Sequence, residues 1–158
     1  MFFNDYILPF LYAYIACLAF SFIFGLRGKF IFLAPLGGSI CWTLYLALNF
    51  TQNDLIQSFL ATMAVAIYSE ILARIYKAPA TMFLIISILP LVPGAGIYYT
   101  MEYCVAGDQM SFYTSLVHTL AIAGALSLGI VLVSSFFRLF FQLWQRIRYH
   151  DQNACLHK

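Results

Sequence analysis

Five apolar stretches alternate with short polar ones along the chain, at about residues 6–26, 30–49, 55–76, 79–101 and 111–140. Arg27-Gly28-Lys29, Thr51-Gln52-Asn53-Asp54, Lys77-Ala78 and a polar, acidic run at 102–109 separate them. About 20 apolar residues carry a helix across the ~30 Å hydrocarbon core of a bilayer. The pattern therefore predicts an all-α fold, a polytopic bundle of five transmembrane helices. The fifth stretch stays apolar to about Trp144. It is longer than the core needs, so it must tilt or project beyond it. Residues 1–144 form a single transmembrane domain on this reading, and 145–158 a polar, basic tail. Pro9 falls in the first turn of the first helix, where proline is tolerated. Met1 to Asp5 contains no basic residue, so the first apolar run is expected to be retained and not cleaved as a leader.

The fourth stretch departs from the others. Pro90, Pro93, Gly94 and Gly96 fall within seven residues near its middle. Proline removes a backbone donor and clashes with the preceding turn, so an unbent helix cannot pass through this point. An unpaired backbone group in hydrocarbon costs several kcal/mol, and breaks survive only where protein or a cavity meets them. Broken helices near the midplane hold substrate in many transporters. Pro90, Pro93, Gly94, Gly96 and Tyr98 are thus candidate substrate-binding positions. The glycines admit a ligand to the backbone, and Tyr98 supplies a hydroxyl. The plainer alternative is a kink packed against a neighbouring helix.

Composition supports the membrane assignment. The chain is 63% hydrophobic and 9% charged, against about 25% charged in soluble domains. Mean hydropathy is +0.88. Charge placement sets the orientation. All eight Lys and Arg residues fall on one side of a five-span topology: Arg27, Lys29, Arg74, Lys77, Arg138, Arg146, Arg148 and Lys158. The positive-inside rule makes that side cytoplasmic, with the N-terminus outside and the C-terminus inside. Asp5, Asp54, Glu102 and Asp108 fall outside. The basic residues form no stripe interleaved with exposed aromatics, so no nucleic-acid partner is expected. Cys17, Cys41, Cys104 and Cys155 are scattered without a CxxC pair, which argues against a disulfide framework or a zinc site. There is no phosphate-binding GxxxxGK[ST] loop and no HExxH. Neither catalysis, a metal nor a cofactor is expected.

Other candidates are weaker. Gly37, Gly38 and Ser39 in the second stretch can contribute to a substrate path, or can form a tight helix crossing with Ser39 hydrogen-bonded across it. Glu70 is the one acid inside a predicted span, and Arg74 follows four residues later on the same helix face. The pair is either a proton-coupling or gating element or an ion pair at the membrane boundary. His118 can relay protons, or can sit neutral against a neighbouring helix.

Three runs carry a family resemblance: Tyr68-Ser69-Glu70-Ile71-Leu72-Ala73-Arg74, Lys77-Ala78-Pro79-Ala80-Thr81, and Pro90-Leu91-Val92-Pro93-Gly94-Ala95-Gly96-Ile97-Tyr98-Tyr99-Thr100-Met101. They closely resemble the threonine/serine exporter family, and within it the small five-span component that corresponds to the C-terminal half of the long exporters. Leu36 to Ile40 and Gly129 to Ser135 fit the same pattern. The resemblance implies export of threonine and serine, coupled to the proton motive force, in a bacterial cytoplasmic membrane. It also implies a larger membrane subunit as partner, besides the lipid bilayer and a possible oligomer. Some relatives point to small dicarboxylates such as succinate as the alternative substrate. The matching positions are Glu70, Arg74, Pro90, Pro93, Gly94 and Tyr98. A non-transporting assembly subunit is the alternative from another class. A homo-oligomeric channel is disfavoured, because the sequence has no ring of charges or filter-like loop.

Overall fold

Helix boundaries follow the polar interruptions. The computed structural model describes the backbone of residues 7–156 and the side chains of residues 7–142. Tyr6, at the start of the first predicted span, and the side chains of the basic tail lie outside the described residues. Six α-helices follow one another: α1 Leu8–Ile23, α2 Phe30–Ala47, α3 Asp54–Tyr76, α4 Ala80–Ile88, α5 Gly94–Ala106 and α6 Gln109–Leu156. Short 3₁₀ turns, Leu48–Thr51 and Leu89–Leu91, close α2 and α4.

Local chemistry explains most of the stops. Gly25 and Gly28 take φ of +67° and +65°, which reverses the chain between α1 and α2. Asn53 caps α3 by accepting from the Leu55 amide at 3.1 Å. Lys77 ends α3 in the left-handed region, φ 51°, and Ala78 N–H donates to the Ala73 carbonyl at 3.0 Å. Asp108 opens α6 by accepting from the Ser111 amide at 3.3 Å. Hydrogen bonds from Ser111 hold that exposed carboxyl below the usual carboxylate range.

Three helical stretches are long and apolar enough to cross a membrane: Phe30–Thr51, Asp54–Tyr76 and Gln109–Gln142. The pair Ala80–Leu91 and Gly94–Ala106, bent by 53°, gives a fourth crossing when counted as one. Helix α1 is apolar but only 16 residues long, about 24 Å at 1.5 Å per residue. Helix α6 runs for 48 residues, through the stretch read as a tail and on to Leu156.

Helix α2 lies at the centre, packed against α1, α3 and α4. Helices α3 and α6 run parallel, and α5 packs along α6. One core cluster joins Cys17, Ala34, Leu72, Ala73, Phe83 and Ile86; a second joins Cys41, Ala61, Val65, Leu91 and Leu126. Small and hydroxyl side chains fill the contacts, whereas many large apolar ones point outward. Ser21, Ser39, Thr62 and Ser87 are fully buried, while Ile23, Phe32, Phe136 and Phe140 are exposed. Lipid tails are as apolar as leucine, so no hydrophobic force draws large side chains inward, and close backbone packing takes its place.

Gly37 and Gly38 show how close that packing is. A Cβ on Gly37 would collide with the Ser87 hydroxyl of α4 and lie 2.8 Å from the Tyr68 ring of α3. A Cβ on Gly38 would lie 2.5 Å from the Cys17 sulfur of α1. Side chains also bond across these contacts to backbone carbonyls. Tyr68 Oη donates to Leu33 O at 2.8 Å, and Ser87 Oγ donates to Ala34 O at 3.0 Å. Gly37→Ala should therefore lower stability by about 1–3 kcal/mol through overpacking. Gly124→Ala should be neutral or slightly stabilising, because a Cβ there meets nothing within 4 Å. Thermal unfolding of the two purified variants in detergent checks the contrast.

Candidate functional site

Two places combine backbone irregularity or charge with exposed space. The first is the interruption between α4 and α5. Pro90 cannot donate to the carbonyl of Ile86. That carbonyl instead accepts from the Leu89 amide and from the Cys17 thiol of α1, the latter at 3.6 Å. Pro93 has φ −75° and ψ 59°, and Gly94 N–H returns to Val92 O at 2.7 Å. This is an inverse γ-turn, a compact device for redirecting a chain. Helix α5 starts directly after it.

The residues of this interruption have different surroundings. Gly96 faces α6, where a Cβ would lie 2.5 Å from Thr119 Oγ1. Gly94 is exposed, and a Cβ there meets nothing within 4 Å. Tyr98 and Tyr99 are exposed, edge to face at 5.6 Å between ring centroids. Pro90 and Pro93 are half-buried. Helix α2 packs against the Leu89–Leu91 turn. Gly37, Gly38 and Ser39 themselves lie in the packed crossing of α2 with its neighbours, and Ser39 Oγ donates to Pro35 O at 3.1 Å within its own helix.

The second place is a cleft of about 440 Å³ between the last turns of α3, the start of α4 and the far half of α6. Glu70 and Arg74 line it together, with Arg74 Nη2 3.2 Å from Glu70 Oε2. The guanidinium also lies over two rings of α6, 3.6 Å from the centroid of Phe141 and 5.3 Å from that of Phe137. Cation–π contact of this kind fixes a charge without neutralising it. Ser69, Thr81, Ser134, Arg138 and Gln142 complete the polar lining. A second groove of about 460 Å³ shares Ser134 and Arg138 and continues along α6.

His118 is remote from this cleft. Its Nε2 lies 3.7 Å from Asp54 Oδ2 at the opposite end of α3, and both side chains are about half exposed. Glu70 and Arg74 are thus brought together with Arg138, while His118 and the Pro90–Gly96 interruption lie elsewhere on the molecule. Sequence reasoning missed Ser69, Thr81, Ser134 and Arg138 as site residues. A signal for two of them was available: Ser134 and Arg138 stand four apart, on one face of a helix.

A family model described as threonine/serine exporter, ThrE, matches residues 9–136. The chain belongs to the threonine/serine exporter family. The match takes in all of α1 to α5 except Leu8 and most of the apolar part of α6. It therefore includes the interruption, Glu70, Arg74 and Ser134, and ends two residues before Arg138. No curated protein matches this exporter-family chain significantly, and no solved structure does. Its helices and its family together make it a multi-pass membrane protein of transporter type.

The thiol of Cys17 bears on how the interruption is held. Cys17→Ala removes the second donor to Ile86 O and leaves space beside Gly38, so it should cost about 0.5–1.5 kcal/mol. Cys17→Ser keeps a donor and should recover part of the loss. Thermal unfolding of both variants, followed by circular dichroism, tests this.

Proposed function

We propose that this chain is the small component of a secondary exporter for threonine, serine or a closely similar amino acid. It crosses the bacterial cytoplasmic membrane five times, with α4 and α5 forming one bent crossing. The N-terminus is outside, and the basic end of the bundle faces the cytoplasm. A larger membrane subunit completes the pathway. Residues 1–144 act as one transmembrane unit, and 145–158 extend from it on the cytoplasmic side.

One observation carries this reading beyond the family match. At the basic end, Glu70, Arg74 and Arg138 share a cleft with the hydroxyls of Ser69, Thr81 and Ser134. Free serine and threonine carry one positive charge, one negative charge and one hydroxyl, and the lining offers a counterpart for each. A volume of about 440 Å³ falls in the ~300–1,000 Å³ range of small-molecule sites. Glu70 favours an amino acid over a dicarboxylate, because a second carboxylate there would meet a like charge. On this reading the cleft receives substrate from the cytoplasm, and Glu70 exchanges the coupling proton beside Arg74 and Arg138. The interruption at Pro90 to Gly96, with Tyr98, lines the path further on, against the larger subunit. Exposed Gly94 and Tyr98 on α5, a helix packed along α6 alone of the long helices, suit a contact with another chain.

Efflux from cells loaded with a threonine-containing dipeptide tests the reading. The arms are this chain alone, its larger partner alone, both together, and both with Gly94→Leu. Only the intact pair should export. Gly94→Leu meets open space within this chain and should leave its folding intact, yet reduce efflux on the order of tenfold or more, with co-purification of the pair measured alongside. Export by the partner alone would make this chain an accessory subunit. Normal efflux in the Gly94→Leu pair would remove the interruption from the path.

Glu70→Gln separates coupling from support. Its ion pair with Arg74 is partly exposed, so the variant should change stability by only about 0–1 kcal/mol. Its efflux should lose the pH dependence of the wild type. An unchanged pH profile would leave Glu70 as an ion pair at the boundary.

A further inference from the structure

Ser69 lacks the hydrogen bond that several other buried hydroxyls of the bundle make. A serine or threonine inside a helix commonly donates to the carbonyl four residues back. Ser21, Ser39, Thr62 and Thr100 all do so, at 2.7–3.1 Å. Ser69 is 1% exposed, yet its Oγ has no hydrogen-bond partner. It lines the cleft beside Glu70. The Nε of Arg74, in the same lining, is buried and unpartnered as well. Leaving such donors without an acceptor costs about 1–3 kcal/mol each.

The rest of the lining is also rich in donors. The start of α4 reaches the cleft through Pro79, Ala80 and Thr81, and no side chain caps it. The first backbone N–H groups of a helix point outward and carry positive partial charge. Arg138 enters from α6, and no described residue forms an ion pair with it. Against these donors the lining offers one carboxylate, and Arg74 already occupies one oxygen of Glu70. Apart from Glu70 the acceptors of the lining are neutral, the Gln142 amide and the hydroxyls, and a carboxylate ligand supplies two charged oxygens with about four lone-pair positions.

We propose that Ser69, the start of α4 and Arg138 form the subsite that reads the substrate's α-carboxylate, with Glu70 holding its ammonium group. The assignment rests on the exporter reading and names the residues that give it specificity. The carboxylate lies between α3, α4 and α6, so only a ligand with both charged ends spans the cleft. Ser69 is a specificity-determining residue, and Arg138 is its charged counterpart.

Thermal shift of the purified full-length chain in detergent tests the assignment. The probes are L-threonine, L-threoninamide, which lacks the carboxylate, and phosphatidylglycerol micelles. L-threonine should stabilise the chain, and L-threoninamide should not. Ser69→Ala and Arg138→Gln should each raise the half-saturating threonine concentration about tenfold or more, with the unliganded midpoint raised in Ser69→Ala and unchanged in Arg138→Gln. Arg138→Lys should recover part of the loss, and Ser127→Ala, an exposed change on α6, should leave binding as in the wild type. Equal stabilisation by threoninamide overturns the assignment, as does unaltered binding in Arg138→Gln. A shift with phosphatidylglycerol but not threonine overturns it in favour of a lipid headgroup. Efflux by the intact pair is measured in parallel. Efflux that is normal in both variants sinks the subsite and leaves the exporter reading standing. Threonine binding without any efflux by the wild-type pair sinks the exporter reading and leaves the subsite.

Discussion

The architecture depends on the missing side chains of Gly37 and Gly38. Helix α2 is central because other helices can come close enough to touch its backbone there. Once they do, hydroxyls of α3 and α4 reach the carbonyls of Leu33 and Ala34. Each such bond is worth about 0.6–2 kcal/mol in a membrane interior. Their directionality matters as much as their strength. They fix the rotation of α3 and α4 about their own axes, and so decide which residues of those helices face one another. The cleft lies one to two turns further along the same two helices. Its geometry is inherited from a crossing that takes no part in lining it.

The two irregular places solve different problems. At Pro90 and Pro93 the chain gives up helical hydrogen bonds, and a thiol, a 3₁₀ amide and a γ-turn restore part of the pairing. The region is bent but largely provided for. The cleft has regular helices and poorly paired side chains. Buried donors without acceptors in a membrane protein are expensive, so their presence points to a ligand more directly than a bend does. The aromatic rings beneath Arg74 fit this picture. They hold the cation in place without giving it a second counter-ion, so its charge stays available to the cleft.

Much of the fold was legible in the sequence. Apolar stretches separated by charged turns mark where helices start and stop, because water and lipid sort residues at every boundary. The double proline announces a bend, and the residues Pro90 to Gly96 are where the chain turns. The inward-facing side could not be read in the same way. In a soluble bundle hydrophobicity marks the buried face, whereas here Phe136 and Phe140 face outward and Ser87 is buried. Hydropathy therefore says little about rotation, and Ser69 looks like any serine in an apolar run. The pairing of Glu70 with Arg74 was visible from spacing alone, because four residues return to one helix face. Their meeting with Arg138 depends on how α3 and α6 pack, which no local pattern records. His118 illustrates the same point. The sequence left it as a proton relay or a neutral residue against a neighbouring helix, and only the packing of α3 on α6 sets it beside Asp54.

The length of α6 has a mechanical consequence. Its apolar part, Gln109–Gln142, is gripped by α3 and α5, and the same helix continues for the residues 143–156. That extension is about 21 Å of rigid rod at 1.5 Å per residue. A rod clamped along one part of its length acts as a lever. A tilt of about 10° within the bundle swings the far end by about 4 Å. A rearrangement at the packed end of α6 too small to break a single helix contact thus becomes a displacement as large as a side chain at the far end of the helix.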